Sequence, residues 1–225
     1  MVIGSGLLGS KLLDRYQDDL NVVIFASGVS SSNETDVNNF KREHDLLINE
    51  LRKCGQSKFI YFSTMLSGLY DKAYYIHKYN MEQLIRQSES NYIIFRLPQI
   101  IGAIGNANNL VNYLKFVIDN GAPITTNYTV KRSIIDIDDV VNIVSKTIGV
   151  VNRETINVSG IEKLLLTDII KLMGEKLNRE PIVNFNGNAI CDWESENSPI
   201  IDRIITELGI DKEDYTKKVI HKYIK

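Results

Sequence analysis

The sequence predicts an α/β fold in which helices cover both faces of a mostly parallel sheet. Three observations lead to this prediction. Short apolar runs rich in Val, Ile and Phe alternate with segments of helical period along most of the chain. A glycine-rich turn joins the first strand to the first helix. The 225 residues, 44% of them hydrophobic, are enough for one domain with a substantial core.

The predicted strands and helices follow one another with short links. The strands are predicted at residues 1–3, 22–26, 59–62, 92–96, 134–137 and 155–158. The helices are predicted at residues 7–16, 37–54, 73–88, 108–120, 138–148 and 166–177. An apolar stripe of Phe40, Leu47 and Leu51 supports the second helix, Pro98 ends the fourth strand, and an aspartate N-cap opens the fifth helix.

The last part of the chain has a different character. Pro181, Asn184, Gly187 and Asn188 interrupt the periodic pattern, and residues 200–208 and 215–224 then have helical period. We therefore expect a core of residues 1–160 and a small, α-rich C-terminal cap of residues 161–225. In open α/β sheets such a cap lies at the carboxyl edge of the strands, where ligands bind.

Composition and charge argue against several classes of function. The net charge of −2 includes no basic excess of the kind that binds nucleic acid, and no apolar run is long enough to span a membrane. Met1 leads directly into the first predicted strand without the basic and apolar stretches of a signal peptide, and together with the few cysteines we expect a cytoplasmic protein. Cys54 and Cys191 match no metal spacing, and a reduced compartment favours two free thiols over a disulfide.

The first strand–helix junction reads Gly4-Ser5-Gly6-Leu7-Leu8-Gly9. In this pattern the first glycine allows a tight turn, the second lets the backbone approach a pyrophosphate, and the third lets helix and strand pack closely. The helix N-terminus then stabilises negative charge. The pattern predicts dinucleotide binding by Gly4, Gly6, Leu7, Leu8 and Gly9; the alternative is a glycine-rich turn without a ligand.

The acidic residue that binds the adenosine ribose in such sites is missing at the usual distance of about 20 residues. Ser27 and Gly28 occupy that region instead. Because no carboxylate is there to repel a 2′-phosphate, NAD and NADP both stay open, with a preference for NADP.

Tyr74 and Lys78 are spaced Tyr-x-x-x-Lys on a predicted helix, so they share a face. An ammonium beside the phenol is expected to lower its pKa from about 10, which would let Tyr74 exchange a proton with a substrate oxygen. The alternative is a solvated helix face. Ser63 and Thr64 end the preceding strand, where a hydroxyl can bind a reacting oxygen; we expect Thr64 to do so, with Ser63 as the substitute.

In this order the motifs resemble the extended short-chain dehydrogenases/reductases, also called NAD-dependent epimerases/dehydratases. The resemblance covers about residues 1 to 177. Within the family, the sequence is most similar to the nucleotide-sugar reductases and epimerases of capsule and O-antigen synthesis. The segments that carry it are residues 21–29, 59–64, 95–102 and 131–140, together with Tyr74 and Lys78.

The resemblance implies a Rossmann-like enzyme dependent on NAD or NADP that acts on a nucleotide-linked sugar as an epimerase, dehydratase or reductase. It assigns catalysis to Tyr74, Lys78 and Thr64. The cofactor would also contact Ala26, Ser27, Gly28 and Pro98, and Arg132 would bind a phosphate of the nucleotide sugar. A homodimer would form through the helices at residues 37–54 and 73–88, with His44 and His77 as surface or interface residues.

The sequence also departs from the family. Gly9 and Val22 are only 13 residues apart, so about two strand–helix units are absent and the sheet is trimmed at one edge. With right-handed crossovers, either the first helix changes face or the strand at Val22 takes the second-strand position. The glycine pattern is G-x-G-x-x-G instead of G-x-x-G-x-x-G, and Thr64 and Tyr74 are only 10 positions apart.

Three functions therefore remain under consideration: an active enzyme, a degenerate family member that binds a nucleotide or a protein partner without chemistry, and a pure interaction protein. Asp136, Asp138 and Asp139 are interpreted as helix capping residues and not as a metal site. Trp193 is expected to anchor the C-terminal cap or to line the sugar site.

Overall fold

The computed structural model describes residues 1–69, 71–103, 109–187 and 196–225. The strands are β1 (Val2–Ile3), β2 (Val22–Phe25), β3 (Lys58–Thr64), β4 (Asn91–Leu97), β5 (Gln99–Ile101), β6 (Ile124–Thr126), β7 (Lys131–Asp136), β8 (Glu154–Asn157), β9 (Lys163–Leu165) and β10 (Val183–Phe185). The helices are α1 (Leu7–Tyr16), α2 (Val37–Lys53), α3 (Ala73–Gln87), α4 (Leu110–Asp119), α5 (Ile137–Ile148), α6 (Leu166–Leu177), α7 (Pro199–Glu207) and α8 (Tyr215–Tyr223).

The central sheet is parallel throughout and has the order β1-β2-β3-β4-β8. Two small sheets accompany it: β7 pairs with β5 in parallel and with β9 antiparallel, and β6 pairs with β10. Helices lie on both faces, as predicted, so the α/β, Rossmann-like fold is confirmed. The two-residue strand β1 forms one edge of this sheet.

The two faces of the sheet carry two separate cores. Alternate residues of β2 divide between them, with Ile24 in the larger core and Phe25 in the smaller. Leu12 of α1 joins the larger core, together with apolar residues of α4 to α8. Leu47 of α2 joins the smaller core, to which α3 also contributes. The N-terminal helix α1 thus lies on the opposite face from α2 and α3.

This placement answers the topological question that the sequence left open. The chain moves across the sheet in one direction from β1 to β4, yet α1 lies on one face and α2 and α3 lie on the other. The crossover through α1 therefore has the opposite hand to the crossovers through α2 and α3. Because nearly all such crossovers are right-handed, the rule that we applied to the sequence cannot hold for all three.

The sequence missed four short strands, β5, β6, β9 and β10, each of three residues. Such segments are too short to show an alternating pattern. Strand β7 begins at Lys131, three residues before its predicted start, because its polar first half pairs with β9. The expected start of a helix at Asn108 lies outside the described residues, and α4 begins at Leu110.

The C-terminal helices pack onto the same large core as α5 and are fixed to it by polar contacts. Asp136 caps α5 by accepting a hydrogen bond from the Asp138 amide, so its interpretation as a capping residue is confirmed. The Tyr223 hydroxyl donates to Asp136 (2.8 Å), and Lys222 donates to Asp136 (2.7 Å). The Tyr215 hydroxyl donates to Asp139 (2.6 Å). Helix α8 is thereby held against the N-terminus of α5.

Several predictions concern isolated residues or absent features. Cys54 is a buried free thiol that donates to the Ser57 carbonyl (3.0 Å), whereas Cys191 and Trp193 lie outside the described residues. Within the described ranges, no helix has both the length and the apolar character needed to cross a bilayer. The described His, Cys, Asp and Glu side chains also form no group of three that could hold a metal ion.

Candidate functional site

A cleft of about 1040 Å³ lies at the carboxyl ends of the parallel strands. The ends of β1, β2, β3 and β4 all contribute to its wall, as expected for an open α/β sheet. It brings together almost every residue that the sequence nominated. The nominated residues that line it are Gly4, Gly6, Leu7, Leu8, Ala26, Ser27, Gly28, Ser63, Thr64, Tyr74, Lys78, Pro98 and Arg132.

The three glycines of the first turn have different surroundings. Gly4 has a φ of +113°, which L side chains rarely adopt, and a Cβ there would lie 2.4 Å from the Ala26 carbonyl oxygen. A Cβ on Gly9, which does not line the cleft, would lie 2.2 Å from the Gly4 carbonyl oxygen. Gly6 lines the cleft, and a Cβ there would contact nothing within 4 Å. Gly4 and Gly9 therefore allow the turn to pack, while Gly6 leaves space at the N-terminus of α1.

The rim of the cleft beside β2 carries a cation. The Arg42 guanidinium on α2 donates to the Ser27 hydroxyl and to the Ser27 carbonyl, both at 3.2 Å. Arg42 is exposed and lines the cleft. The region in which the sequence lacked an acidic residue thus has a guanidinium group.

The Lys78 side chain is almost completely buried and is held by three neighbours. Its Nζ donates to Glu43 Oε1 (3.0 Å) and to the Tyr61 hydroxyl (3.2 Å). The same ammonium lies 5.1 Å from the Tyr61 ring centroid and 5.9 Å from the Tyr74 ring centroid. Tyr74 and Lys78 therefore do share a helix face, but a carboxylate is the direct partner of the ammonium.

The expected effect of Lys78 on the Tyr74 phenol is wrong in direction. Burial, followed by the negative charge of Glu43 and the neighbouring Tyr75, raises the pKa of Tyr74 well above its usual value. The ammonium of Lys78 is neutralised by Glu43, so it cannot lower the pKa as the sequence suggested. Tyr74 is a neutral phenol in this arrangement.

Gly28 and His77 both contact this cluster. A Cβ on Gly28 would lie 2.5 Å from Lys78 Nζ and 3.0 Å from Glu43 Oε1, so a glycine makes room for the ion pair. His77 is buried, lies 3.0 Å from Glu43 Oε2 and packs against the Phe40 ring. Its interpretation as a surface or interface residue is therefore wrong, whereas His44 is partly exposed beside Asp45.

The two hydroxyls at the end of β3 differ in their partners. The Ser63 hydroxyl donates to Glu82 (2.6 Å) and is buried. The Thr64 hydroxyl accepts a hydrogen bond from the Leu66 amide (3.3 Å) in the turn that follows. Ser63 is thus engaged by a buried carboxylate, which leaves Thr64 as the better placed of the two for a ligand.

The cleft has an uneven distribution of charge. No described Asp or Glu lines it, although the whole chain is acidic. Six basic residues line it: Arg42, Lys72, Lys78, Lys131, Arg132 and Lys163. Lys131 and Arg132 lie on β7, and Lys163 lies on the paired strand β9. The Lys78 charge is offset by Glu43 behind the wall, and the other five basic residues give the described wall a positive sign that favours an anionic ligand.

Sequence reasoning missed Glu43, Tyr61 and most of these cations. A signal for Glu43 was present, because it interrupts the apolar stripe of α2 between Phe40 and Leu47. Lys131 and Lys163 had no such signal, since their position depends on the pairing of β7 with the unpredicted strand β9.

No protein-family model matches the sequence, and no curated protein matches it. Solved structures do resemble the fold. RMD from Pseudomonas aeruginosa, solved with NADPH, has a TM-score of 0.68 and 15% identity over 97% of this chain and 85% of that chain. UDP-glucuronic acid 4-epimerase from Bacillus cereus, solved with UDP-glucuronic acid and NAD, has a TM-score of 0.68 and 19% identity over 98% of this chain and 78% of that chain. The dTDP-glucose 4,6-dehydratase from Bacillus anthracis, solved with NAD, has a TM-score of 0.68 and 11% identity over 98% of this chain and 77% of that chain.

These likenesses confirm, for the fold, the predicted resemblance to the extended short-chain dehydrogenases/reductases. The present chain keeps the fold while its sheet ends at β1.

Proposed function

We propose that this protein is an NAD- or NADP-dependent epimerase, dehydratase or reductase that acts on a nucleotide-linked sugar. The observation that carries the proposal is the cleft itself. It combines the glycine turn, the Thr64, Tyr74 and Lys78 side chains and a wall with six basic residues and no described acidic one. A dinucleotide and a nucleotide sugar both carry a diphosphate, which suits this charge.

The residues present fit a dinucleotide. Gly6 leaves open space beside the N-terminus of α1, where backbone amides and the helix dipole favour a pyrophosphate. Ala26, Ser27, Gly28 and Pro98 would line the rest of the binding site. When bound, the nicotinamide would supply hydride transfer.

The protein's own groups would hold the sugar and move its proton. Tyr74 would exchange a proton with a hydroxyl or carbonyl oxygen of the sugar, and the Thr64 hydroxyl would bind the same oxygen. Lys78 would orient the phenol. Arg132 on β7 would bind a phosphate of the nucleotide, since its guanidinium offers several donors at a fixed geometry.

Arg42 supports a preference for NADP. Its guanidinium lies beside Ser27, in the region where NAD-binding sites of this kind carry an acid. A cation at that position would attract a 2′-phosphate, whereas a carboxylate would repel it.

The finer assignments follow from the same proposal. Residues 1–160 would bind the cofactor and residues 161–225 would lie on the substrate side, and the product would serve surface-polysaccharide synthesis. A cytoplasmic homodimer would form through α2 and α3. Exposed apolar side chains on these helices, Val37 (73% exposed), Ile76 (46%) and Tyr79 (42%), support that interface.

One observation favours a second function, which is binding without turnover. Strand β1 is the edge of the sheet, so within the described residues no strand takes the place of those that flank the adenine in the family that the sequence resembles. A degenerate member would bind a nucleotide or a protein partner through the same cleft and would not convert it.

A turnover assay separates the two. The purified protein is incubated with UDP-glucuronic acid, UDP-glucose or dTDP-glucose and with NAD, NADP or their reduced forms, and the products are separated by chromatography. We expect conversion of at least one sugar, lowered by about 10²- to 10⁴-fold in Tyr74→Phe. Tyr92→Phe, which changes a buried tyrosine of β4 outside the cleft, is the control. Full activity of Tyr74→Phe would remove Tyr74 from the reaction.

A further inference from the structure

Glu43 is a completely buried carboxylate with a donor for each of its lone-pair positions. Its Oε2 accepts from the Val29 amide (2.6 Å) and lies 3.0 Å from His77 Nε2. Its Oε1 accepts from the Tyr61 hydroxyl (2.7 Å) and from Lys78 Nζ (3.0 Å). These four groups come from the loop after β2, from α3 and from β3, so one side chain joins three parts of the cleft wall.

Burying a charge at this position costs desolvation free energy. The neighbours of Glu43 on the same stripe of α2 are apolar: Leu47 belongs to the smaller core, and Phe40 packs against the His77 ring. Replacing a buried ion pair by well-packed apolar residues is often neutral or stabilising. The Glu43–Lys78 pair therefore needs an explanation beyond stability, and its position behind the cleft supplies one.

The ion pair determines the electrostatic surroundings of Tyr74. The groups that face Tyr74 are Glu43 from α2, Tyr61 from β3, and Tyr75 and Lys78 from α3. Glu43 itself faces Lys78, His77 and Tyr61. Burial opposes its ionisation, but the Lys78 charge and the hydrogen bonds outweigh it and hold the pKa of Glu43 far below its usual range. Carboxylate and ammonium are thus both charged and offset each other, and the remaining effect of the pair on the phenol is that of the Glu43 carboxylate, which raises the pKa of Tyr74.

We propose that Glu43 is a positioning residue for Tyr74 and Lys78. Its carboxylate fixes the Lys78 ammonium between the rings of Tyr61 and Tyr74 and cancels its charge, so that Tyr74 meets the substrate as a neutral phenol and donates its proton. The proton passes from the phenol oxygen to the substrate oxygen and is regained from solvent. This inference rests on the proposed function for its catalytic meaning, whereas the electrostatic coupling itself does not require turnover.

The coupling is tested on the titration of Tyr74. Tyrosine labelled with ¹³C at Cζ is incorporated, and Tyr74→Phe identifies the Tyr74 signal among the 11 tyrosines. In Glu43→Gln the negative charge near the phenol is removed and the Lys78 charge is no longer cancelled. We expect the Tyr74 midpoint to fall by about one to three pH units relative to the wild type. Glu50→Gln, a buried carboxylate two turns along the same helix and paired with Lys53, is the matched control and leaves the midpoint unchanged.

Enzyme kinetics give a second readout once a substrate is in hand. We expect kcat of Glu43→Gln to fall by up to about a hundredfold, with KM within about twofold, because geometry and not binding is lost. The inflection of the pH–rate profile assigned to Tyr74 moves to lower pH. Glu43→Asp retains the charge, so its inflection stays at the wild-type position while kcat falls through the shorter reach to Lys78.

The following results would overturn the proposed role of Glu43. An unchanged Tyr74 midpoint in folded Glu43→Gln, or an equal shift in Glu50→Gln, overturns the proposal. If Glu43→Gln melts below the assay temperature, Glu43→Asp is titrated instead, and a midpoint lowered in that variant overturns it as well. Absence of any sugar turnover by the wild type would refute the proposed function but leave the Tyr74 titration as a complete test of the coupling.

Discussion

Glu43 and Glu82 are two buried carboxylates that differ in what surrounds them. Both are 0% exposed and both accept several hydrogen bonds. Glu43 faces a lysine that lines the cleft, whereas Glu82 faces two arginines that do not. Arg96 of β4 contacts Glu82 through Nε (2.9 Å) and Nη2 (2.6 Å), and Arg86 of α3 adds a third contact (2.9 Å).

The difference shows that burial and ion pairing alone do not identify a functional carboxylate. The Glu82 network joins α3 to β3 and β4, and Arg86 extends it to Thr155 of β8. It holds a helix to the centre of the sheet. The Glu43 network ends at Tyr74, where the cleft begins. Glu82 also reaches the cleft through the Ser63 hydroxyl, but its two charged partners lie outside the cleft, so the position of the charged partner distinguishes the two carboxylates.

Removing the charge of Glu82 is expected to have the largest effect on stability. In Glu82→Gln, two partly buried guanidinium groups lose their counter-charge, which costs about 3–5 kcal/mol in comparable buried pairs. Urea denaturation of this variant and the wild type measures the loss. The Tyr74 midpoint should not change, since Glu82 does not act on that phenol. A Tyr74 shift as large as that in Glu43→Gln would remove the distinction between the two networks.

The next largest expected effect is the loss of folding stability at acid pH that protonation of Glu43 causes. Because the pKa of Glu43 is lowered in the folded state, its contribution to stability is fully present above its unfolded pKa of about 4.3 and is lost as the pH falls further. Below about pH 4.5, the free energy of unfolding should therefore fall less steeply with decreasing pH in Glu43→Gln than in the wild type. The two slopes should differ by up to about 1.4 kcal/mol per pH unit. Parallel curves for Glu43→Gln and the wild type would contradict a charged Glu43.

The smallest effect on stability, with a clear effect on turnover, is expected for Gly28→Ala. The added Cβ would lie 2.5 Å from Lys78 Nζ and 3.0 Å from Glu43 Oε1, so the ammonium must move within a buried cluster, at a cost of about 1–3 kcal/mol. We expect kcat to fall and the melting temperature to drop less than in Glu82→Gln. Gly149→Ala, whose Cβ would lie 3.6 Å from its nearest neighbour, is the control with unchanged kcat and stability. Wild-type turnover by Gly28→Ala would mean that the position of Lys78 does not matter.

Much of the fold could be predicted because its signals are local. The helices α1 and α6 begin and end where the periodicity indicated, and the glycine turn marked the first junction. The strand order was consistent with the absence of two strand–helix units between Gly9 and Val22. The hand of the α1 crossover was not predictable, because it depends on which face α1 covers and not on any residue pattern in α1.

The candidate site was predicted in its members but not in its electrostatics. Tyr74, Lys78 and Thr64 do line one cleft, since the carboxyl ends of parallel strands meet at one edge. The pKa of Tyr74 was predicted in the wrong direction because it depends first on burial and then on Glu43, which is 31 residues earlier in the chain and on another helix. Pairwise spacing within α3 contains no information about that contact.

Calorimetric titration with NADP and NAD tests the central claim, that the cleft binds a dinucleotide on the glycine turn, most directly. We predict saturable binding of one dinucleotide per chain to the wild type and at least tenfold weaker binding to Gly6→Ala, whose Cβ would enter open space without disturbing the fold. An absence of binding to the folded wild-type protein, or equal binding to folded Gly6→Ala, would contradict the claim.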